Sequence, residues 1–145
     1  GVQTCALPIS WIEHILSKLA PDGKAGIVLA NGALSTSSKD ELAIRKALLE
    51  DHKVDAIVAM PTQMFYSVSI PVAVWIFDMD QASEGERDRT GETLFIDARE
   101  LGKMTDRTHR EFTREDIDKI ASVYHAYNGT SGEIYKDVLG FCKAV

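Results

Sequence analysis

The sequence predicts an α/β fold, a sheet carrying helices on its faces. Three observations carry that expectation. Apolar runs of strand length at 25–30, 54–60 and 72–77 are separated by polar or turn-forming segments. Between and after them lie stretches of helical period that open on capping signals. A hydrophobic fraction of 45% and a charged fraction of 26% are ordinary for a globular chain. No apolar run approaches the roughly 20 residues that cross a bilayer.

Ser10 and Glu13 have the spacing of a capping box, and Trp11, Ile12, Ile15, Leu16 and Leu19 fall on one face of the helix they open. Pro21-Asp22-Gly23 stops it. Ala25 to Ala30 is apolar enough to be covered on both sides, as parallel strands are, and the turn pair Asn31-Gly32 closes it. Ser38 and Glu41 form a second capping box, before a helix with stripe Ile44, Ala47 and Leu48 that runs to about Glu50. Val54 to Met60 is the next strand, broken by Pro61. After a loop through Tyr66, the run Val72 to Phe77, rich in Val, Ile and aromatics, is the third. Residues 78–91 (DMDQASEGERDRTG) are polar and aperiodic, so a surface loop or a boundary is expected there. Order resumes at Thr93 to Asp97. Thr113 and Asp116 cap a last helix whose buried side is Ile117, Ile120, Ala121, Tyr124 and Tyr127. Residues 128–145 hold two glycine-containing breaks and no clear element. The expected division is 1–9, 10–78, a loop at 79–92, and an extension at 93–145.

Chemistry-bearing residues are sparse. A net charge of −6 argues against a chain that grips nucleic acid unaided, because phosphate affinity comes from Lys and Arg. Cys5 and Cys142, at opposite ends, suggest neither a disulfide framework nor a zinc spacing, and a reducing cytoplasm is the setting this implies. His14, His52, His109 and His125 have no metal-ligand spacing, so no metal is expected. Gly23 and Gly26 have the spacing of a turn before a strand, far short of a nucleotide fingerprint. The run Ser35 to Ser38 has no base beside its hydroxyls and reads as loop and cap. Arg107, His109 and Arg110 form a short basic cluster, read as a solvated loop, with a phosphate or partner contact as the alternative. Asn31 closes the first strand at its carboxyl end, the edge where open α/β sheets bind ligands; a turn role is the other option.

The blocks WIEHILSKLAPDGKAGIVLANGALS, IRKALLEDHKVDAIVAMPTQMFYSVSIPVAVWIF, GETLFIDARELG and HREFTREDIDKIASVYHAY together resemble the modification subunit of type I restriction systems, from Ser10 to Cys142. The resemblance implies the C-terminal part of a Rossmann-like class I methyltransferase sheet. Its last three strands would lie here, the final two an antiparallel hairpin, followed by a small, mostly helical extension. It implies methyl transfer from S-adenosylmethionine to adenine N6 in DNA, with a specificity subunit choosing the site and a restriction subunit as further partner. Gly1 to Ile9 resembles a translated sequencing-adapter oligonucleotide, so these residues are expected to be non-native and the chain truncated at both ends.

Such an enzyme must flip its base out of the stack. The family holds the adenine amine with an Asn-Pro-Pro-Phe-type tetrapeptide, and no Asn-Pro or Asp-Pro occurs in this chain. Neither catalytic nor cofactor-binding residues are therefore assigned, and this piece alone is expected to be inactive. The resemblance places Phe65 as the aromatic that stacks on the flipped adenine, with Tyr66 flanking or substituting for it, and Asn31 as a possible substrate-side contact. Packing beneath the hairpin is the alternative for Phe65. The rival functions are a related methyltransferase acting on RNA or protein, and a non-catalytic module for subunit contact.

Overall fold

The apolar runs form one five-stranded sheet in the order β1-β3-β2-β4-β7 in the computed structural model, which describes residues 8–35, 39–66 and 69–145. The elements are α1 (Pro8–Leu16), β1 (Lys24–Ala30), α2 (Gly32–Ser35), α3 (Lys39–Glu50), β2 (Val54–Ala59), β3 (Val72–Asp78), β4 (Leu94–Asp97), β5 (Lys103–Met104), β6 (Arg110–Glu111), α4 (Arg114–Asn128) and β7 (Cys142–Ala144). β3 runs antiparallel to both neighbours, with Val74 opposite Val28 of β1 and Val58 of β2. β1 and β2 are therefore parallel to each other, and β4 is parallel to β2 with Leu94 beside Ala56. The carboxyl ends of β1, β2 and β4 consequently share one edge of the sheet. β7 closes the far side, antiparallel to β4. The expected hairpin of the second and third strands is present, and the sheet continues beyond it by two strands from the extension.

Helices cover the two faces separately. Ile12 of α1 and Leu48 of α3 are buried against Leu29, Ile57, Ala73 and Trp75, while Tyr127 of α4 is buried against Ala56, Val58, Leu94 and Ile96 on the other side. Alternate residues of β2 thus serve opposite cores, as the pleat requires. The register of β2 against β3 shifts between Val54 and Ala56, which leaves Asp55 as an extra residue. This bulge turns Asp55 and Ala56 toward the same, α4-bearing face. The capping box of Thr113 and Asp116 forms as expected, and α4 ends at Gly129 in the left-handed region, φ 82°.

Several expectations need correction. α1 begins at Pro8, so Ser10 lies inside the helix and not at its cap. Trp11, expected on the buried face, is 58% exposed. Ser38 of the second expected capping box, and most of the segment 1–9, lie outside the described residues. Ser35 belongs to the short helix α2. The stretch read as lacking structure supplies β7, too short to show an alternation of its own but paired along its length with β4.

The largest difference is at residues 78–91, which are not simply a solvated loop. Arg89, Asp55 and Asp78 are completely buried. The Arg89 guanidinium pairs with Asp55 at 3.0 Å, Asp78 at 2.9 Å and Glu86 at 2.8 Å. Lys24 at the start of β1 pairs with Asp78 at 3.1 Å and Glu86 at 2.6 Å. The Tyr124 hydroxyl of α4 donates to Asp55 at 2.6 Å. Burial, followed by that bond to Asp55, pushes the Tyr124 phenol well above its ordinary pKa. Burial also opposes the Arg89 charge, but its bonds to Asp55 and Glu86 outweigh this and raise its pKa. An isolated charge in a core is prohibitively unfavourable, so the cluster survives by mutual pairing.

Glu86 carries a pH signature. Partial burial raises its pKa, but the bonds from Lys24 and Arg89 dominate and leave it below the ordinary value of 4.5. A carboxyl depressed in the folded state stabilises that state above the ordinary value, and the contribution vanishes as pH falls through the folded value. Glu86→Gln is thus expected to flatten the loss of stability between about pH 6 and pH 3 in urea titrations. An unchanged acid limb in the variant would mean that Glu86 contributes nothing there.

Candidate functional site

The loop that leaves the carboxyl end of β2, at the shared edge, holds two exposed aromatics, Phe65 and Tyr66. The loop between β2 and β3 starts at Met60, whose N–H donates to the Val72 carbonyl at 2.9 Å, and turns through the buried Pro61. Gln63 adopts a positive φ of 64°, a left-handed backbone that residues other than glycine take only where their surroundings impose it. The Gln63 carbonyl accepts from Arg110 N–H of β6 at 2.8 Å, so the β5–β6 hairpin is tied to this loop. Phe65 is 44% exposed and Tyr66 83% exposed. Phe65 therefore lies outside the two buried cores and presents its ring on the loop.

Asn31 stands at the base of the same loop, its N–H donating to the Pro71 carbonyl at 3.1 Å. Its Oδ1 is shielded from solvent and has no hydrogen-bond partner among the described residues. It borders an open cleft of about 760 Å³, lined also by Ile57, Ala59, Phe95, Asp97 and Arg99. That size is within the range of small-molecule sites. Two acidic groups line the cleft. Asp137 accepts from the Tyr135 hydroxyl at 2.9 Å and the Ala144 N–H at 3.0 Å, while Arg99 holds Asp97 at 2.6 and 2.8 Å and, through those bonds, lowers the pKa of Asp97. Asp97 is thus an ion-paired carboxylate and a poor proton acceptor at neutral pH.

The remaining candidates separate. His14, His52 and His125 are exposed, and among the described residues no group of three or more His, Cys, Asp or Glu could hold a metal. The cluster of Arg107, His109 and Arg110 divides, with Arg107 exposed, His109 buried and Arg110 donating to the Leu101 carbonyl at 3.1 Å. Gly23 closes the turn before β1 through an N–H to the Ala20 carbonyl at 2.9 Å, at the end of β1 opposite the cleft. Cys142 is buried as a free thiol, and Cys5 lies outside the described residues. Among the described residues no helix is long and apolar enough to cross a membrane.

Two groupings of side chains escaped the sequence reading. One is the cluster at Arg89, for which a signal existed: Asp55 is a lone charge inside an otherwise apolar strand and requires a buried partner. The other is His109, which lies flat against Tyr66 with ring centroids 4.0 Å apart and planes at 10°. Nothing in the spacing of these two residues announces that pairing.

Comparison with known proteins gives a consistent picture. Residues 4–145 match the family model described as N-6 DNA Methylase. The chain is 40% identical over 135 residues to the type I restriction enzyme HindI methylase subunit of Haemophilus influenzae, covering 93% of this chain and 29% of that one. Against the MjaIX methylase subunit of Methanocaldococcus jannaschii it is 39% identical over 133 residues, 92% of this chain and 23% of that one. Among solved structures, the type I restriction-modification system methyltransferase subunit from Streptococcus thermophilus superposes with a TM-score of 0.79 at 26% identity, over 95% of this chain and 26% of that one. The chain thus spans less than a third of the length of these relatives.

Proposed function

Since the chain belongs to the N-6 DNA methylase family, we propose that it forms the substrate-side edge of a type I modification subunit that methylates adenine N6 in DNA, with S-adenosylmethionine as donor. The observation that carries this reading is the exposed Phe65–Tyr66 loop at the carboxyl edge of the parallel strands. An adenine amine inside a duplex is out of reach until the base is extruded. An extruded base loses its stacking neighbours, and an exposed aromatic face at the site restores one contact, worth about 1–3 kcal/mol per base. Phe65 supplies that face, Tyr66 flanks it, and Asn31 with its unpartnered Oδ1 is a substrate-side acceptor. An amide oxygen accepts a hydrogen bond from an exocyclic amine without needing to change charge.

The described residues do not make a site for S-adenosylmethionine. Gly23 and Gly26 lie toward the start of β1, away from the ligand edge, and Asp97 is held by Arg99. No step of the transfer is therefore assigned to these residues, and the 145-residue chain alone is inactive in this reading. Its net charge of −6 fits a protein that meets DNA in the cytoplasm as part of a complex, with specificity and restriction subunits as partners.

The test is methylation by a subunit of the relatives' length that carries these residues, assembled with its specificity subunit. The expected product is N6-methyladenine, identified by mass spectrometry of digested DNA, with no transfer by the 145 residues alone. Methylation of RNA instead of DNA, or none by the assembled complex, would overturn the reading. Transfer by the isolated chain would overturn the placement of the chemistry outside it.

A further inference from the structure

The β5–β6 hairpin touches the aromatic loop at two points, the Arg110 N–H bond to the Gln63 carbonyl and the stack of His109 on Tyr66. The stacked partners differ sharply in exposure, 6% for His109 and 83% for Tyr66, so the histidine is the fixed member of the pair. Its backbone is tied down on both sides. The N–H donates to Asp106 Oδ1 at 2.8 Å, and the carbonyl accepts from Thr105 N–H at 2.9 Å and from the Thr105 hydroxyl at 3.2 Å. The ring is less well satisfied. Nε2 lies 3.3 Å from Glu111 Oε1, while the buried Nδ1 has no hydrogen-bond partner among the described residues. A buried nitrogen without a partner is unfavourable, so what the position uses is the flat face of the ring more than its hydrogen bonds.

We propose that His109 is a positioning residue for the substrate loop. Its ring fixes the plane of Tyr66 and, through the shared backbone, the direction in which neighbouring Phe65 offers its face to an extruded adenine. The outer face of Tyr66 remains open to solvent. The left-handed backbone at Gln63, held by Arg110, is the second fastening of the same loop. The C-terminal extension thereby acts on the substrate site through the hairpin without contributing a group that touches the reacting atoms. This inference rests on the reading of the loop as base-stacking.

The experiment uses the assembled complex and three variants, His109→Ala, His109→Phe and Phe65→Ala. Base extrusion is read from the fluorescence of 2-aminopurine placed at the target adenine, and the stack from the fluorine resonance of a fluorinated Tyr66. His109→Ala is expected to shift that resonance, abolish most of the fluorescence gain and lower kcat/KM for DNA by about tenfold, the scale of one lost stacking contact. KM for S-adenosylmethionine should not move. His109→Phe keeps a flat ring and is expected to restore all three readouts to within about twofold. If Phe65→Ala removes the fluorescence gain while His109→Ala does not, or if His109→Phe is as damaged as His109→Ala, this proposal is overturned alone. Unchanged fluorescence in Phe65→Ala would overturn the base-stacking reading and this proposal with it.

Discussion

Replacing Arg89 with methionine is expected to lower folding stability by about 3–5 kcal/mol, the range seen when one partner of a buried ion cluster is removed. The guanidinium is completely buried and binds two equally buried carboxylates, Asp55 and Asp78, besides Glu86. Methionine fills much of the same space, so the loss would come from stranded charge and not from a cavity. Lys24 still reaches Asp78 in the variant, but among the described residues Asp55 keeps only the Tyr124 hydroxyl and the longer contact from Gln81. Urea denaturation of the protein carrying this chain measures the effect. Adding Asp55→Asn and Asp78→Asn to Arg89→Met should recover part of the stability, because no uncompensated charge then remains inside. A single-variant loss under about 1 kcal/mol would mean that water or a rearranged side chain reaches the carboxylates.

Phe65→Ala should act in the opposite way, on function and hardly on stability. Phe65 is 44% exposed and belongs to neither buried core, so its removal is expected to change unfolding free energy by less than about 1 kcal/mol. If it stacks on the extruded adenine, kcat/KM for DNA falls by about five- to 150-fold, which is 1–3 kcal/mol of lost stacking. Phe65→Trp, which keeps an aromatic face, should retain most of the activity. A Phe65→Ala enzyme with unaltered kcat/KM would remove the aromatic from the mechanism. A variant that loses activity and stability together would point to packing as its role.

The two variants mark how differently the fold and the site could be read in advance. The three apolar strands and α4 with its Thr113–Asp116 box were legible because each depends on residues within a few positions of one another. The hairpin of β2 and β3, which pairs residues as distant as Val54 and Phe77, was expected only through the family resemblance. Phe65 and Tyr66 were singled out through family resemblance alone, and the structure adds that both rings are exposed on the loop. Asn31 was legible only as the end of a strand; its unpartnered Oδ1 was not. Arg89 was misread because its neighbours Glu86, Arg87, Asp88 and Thr90 describe a solvated loop. The residues that bury it, Asp55 and Asp78, lie at the starts or ends of other elements.

By itself the sequence determined the kind of structure, since alternation, helical stripes and caps are written in short-range pattern and respond to local backbone physics. It also determined that no Asn-Pro tetrapeptide is available here to bind the adenine amine. Only the tertiary structure decided the strand order β1-β3-β2-β4-β7, the pairing of β7 with β4, the burial of Arg89 and the stack of His109 on Tyr66. The reason is common to all four. Each is a contact between segments distant in the chain, and its energy depends on which surfaces the packed sheet brings together, a quantity that no local window of residues contains.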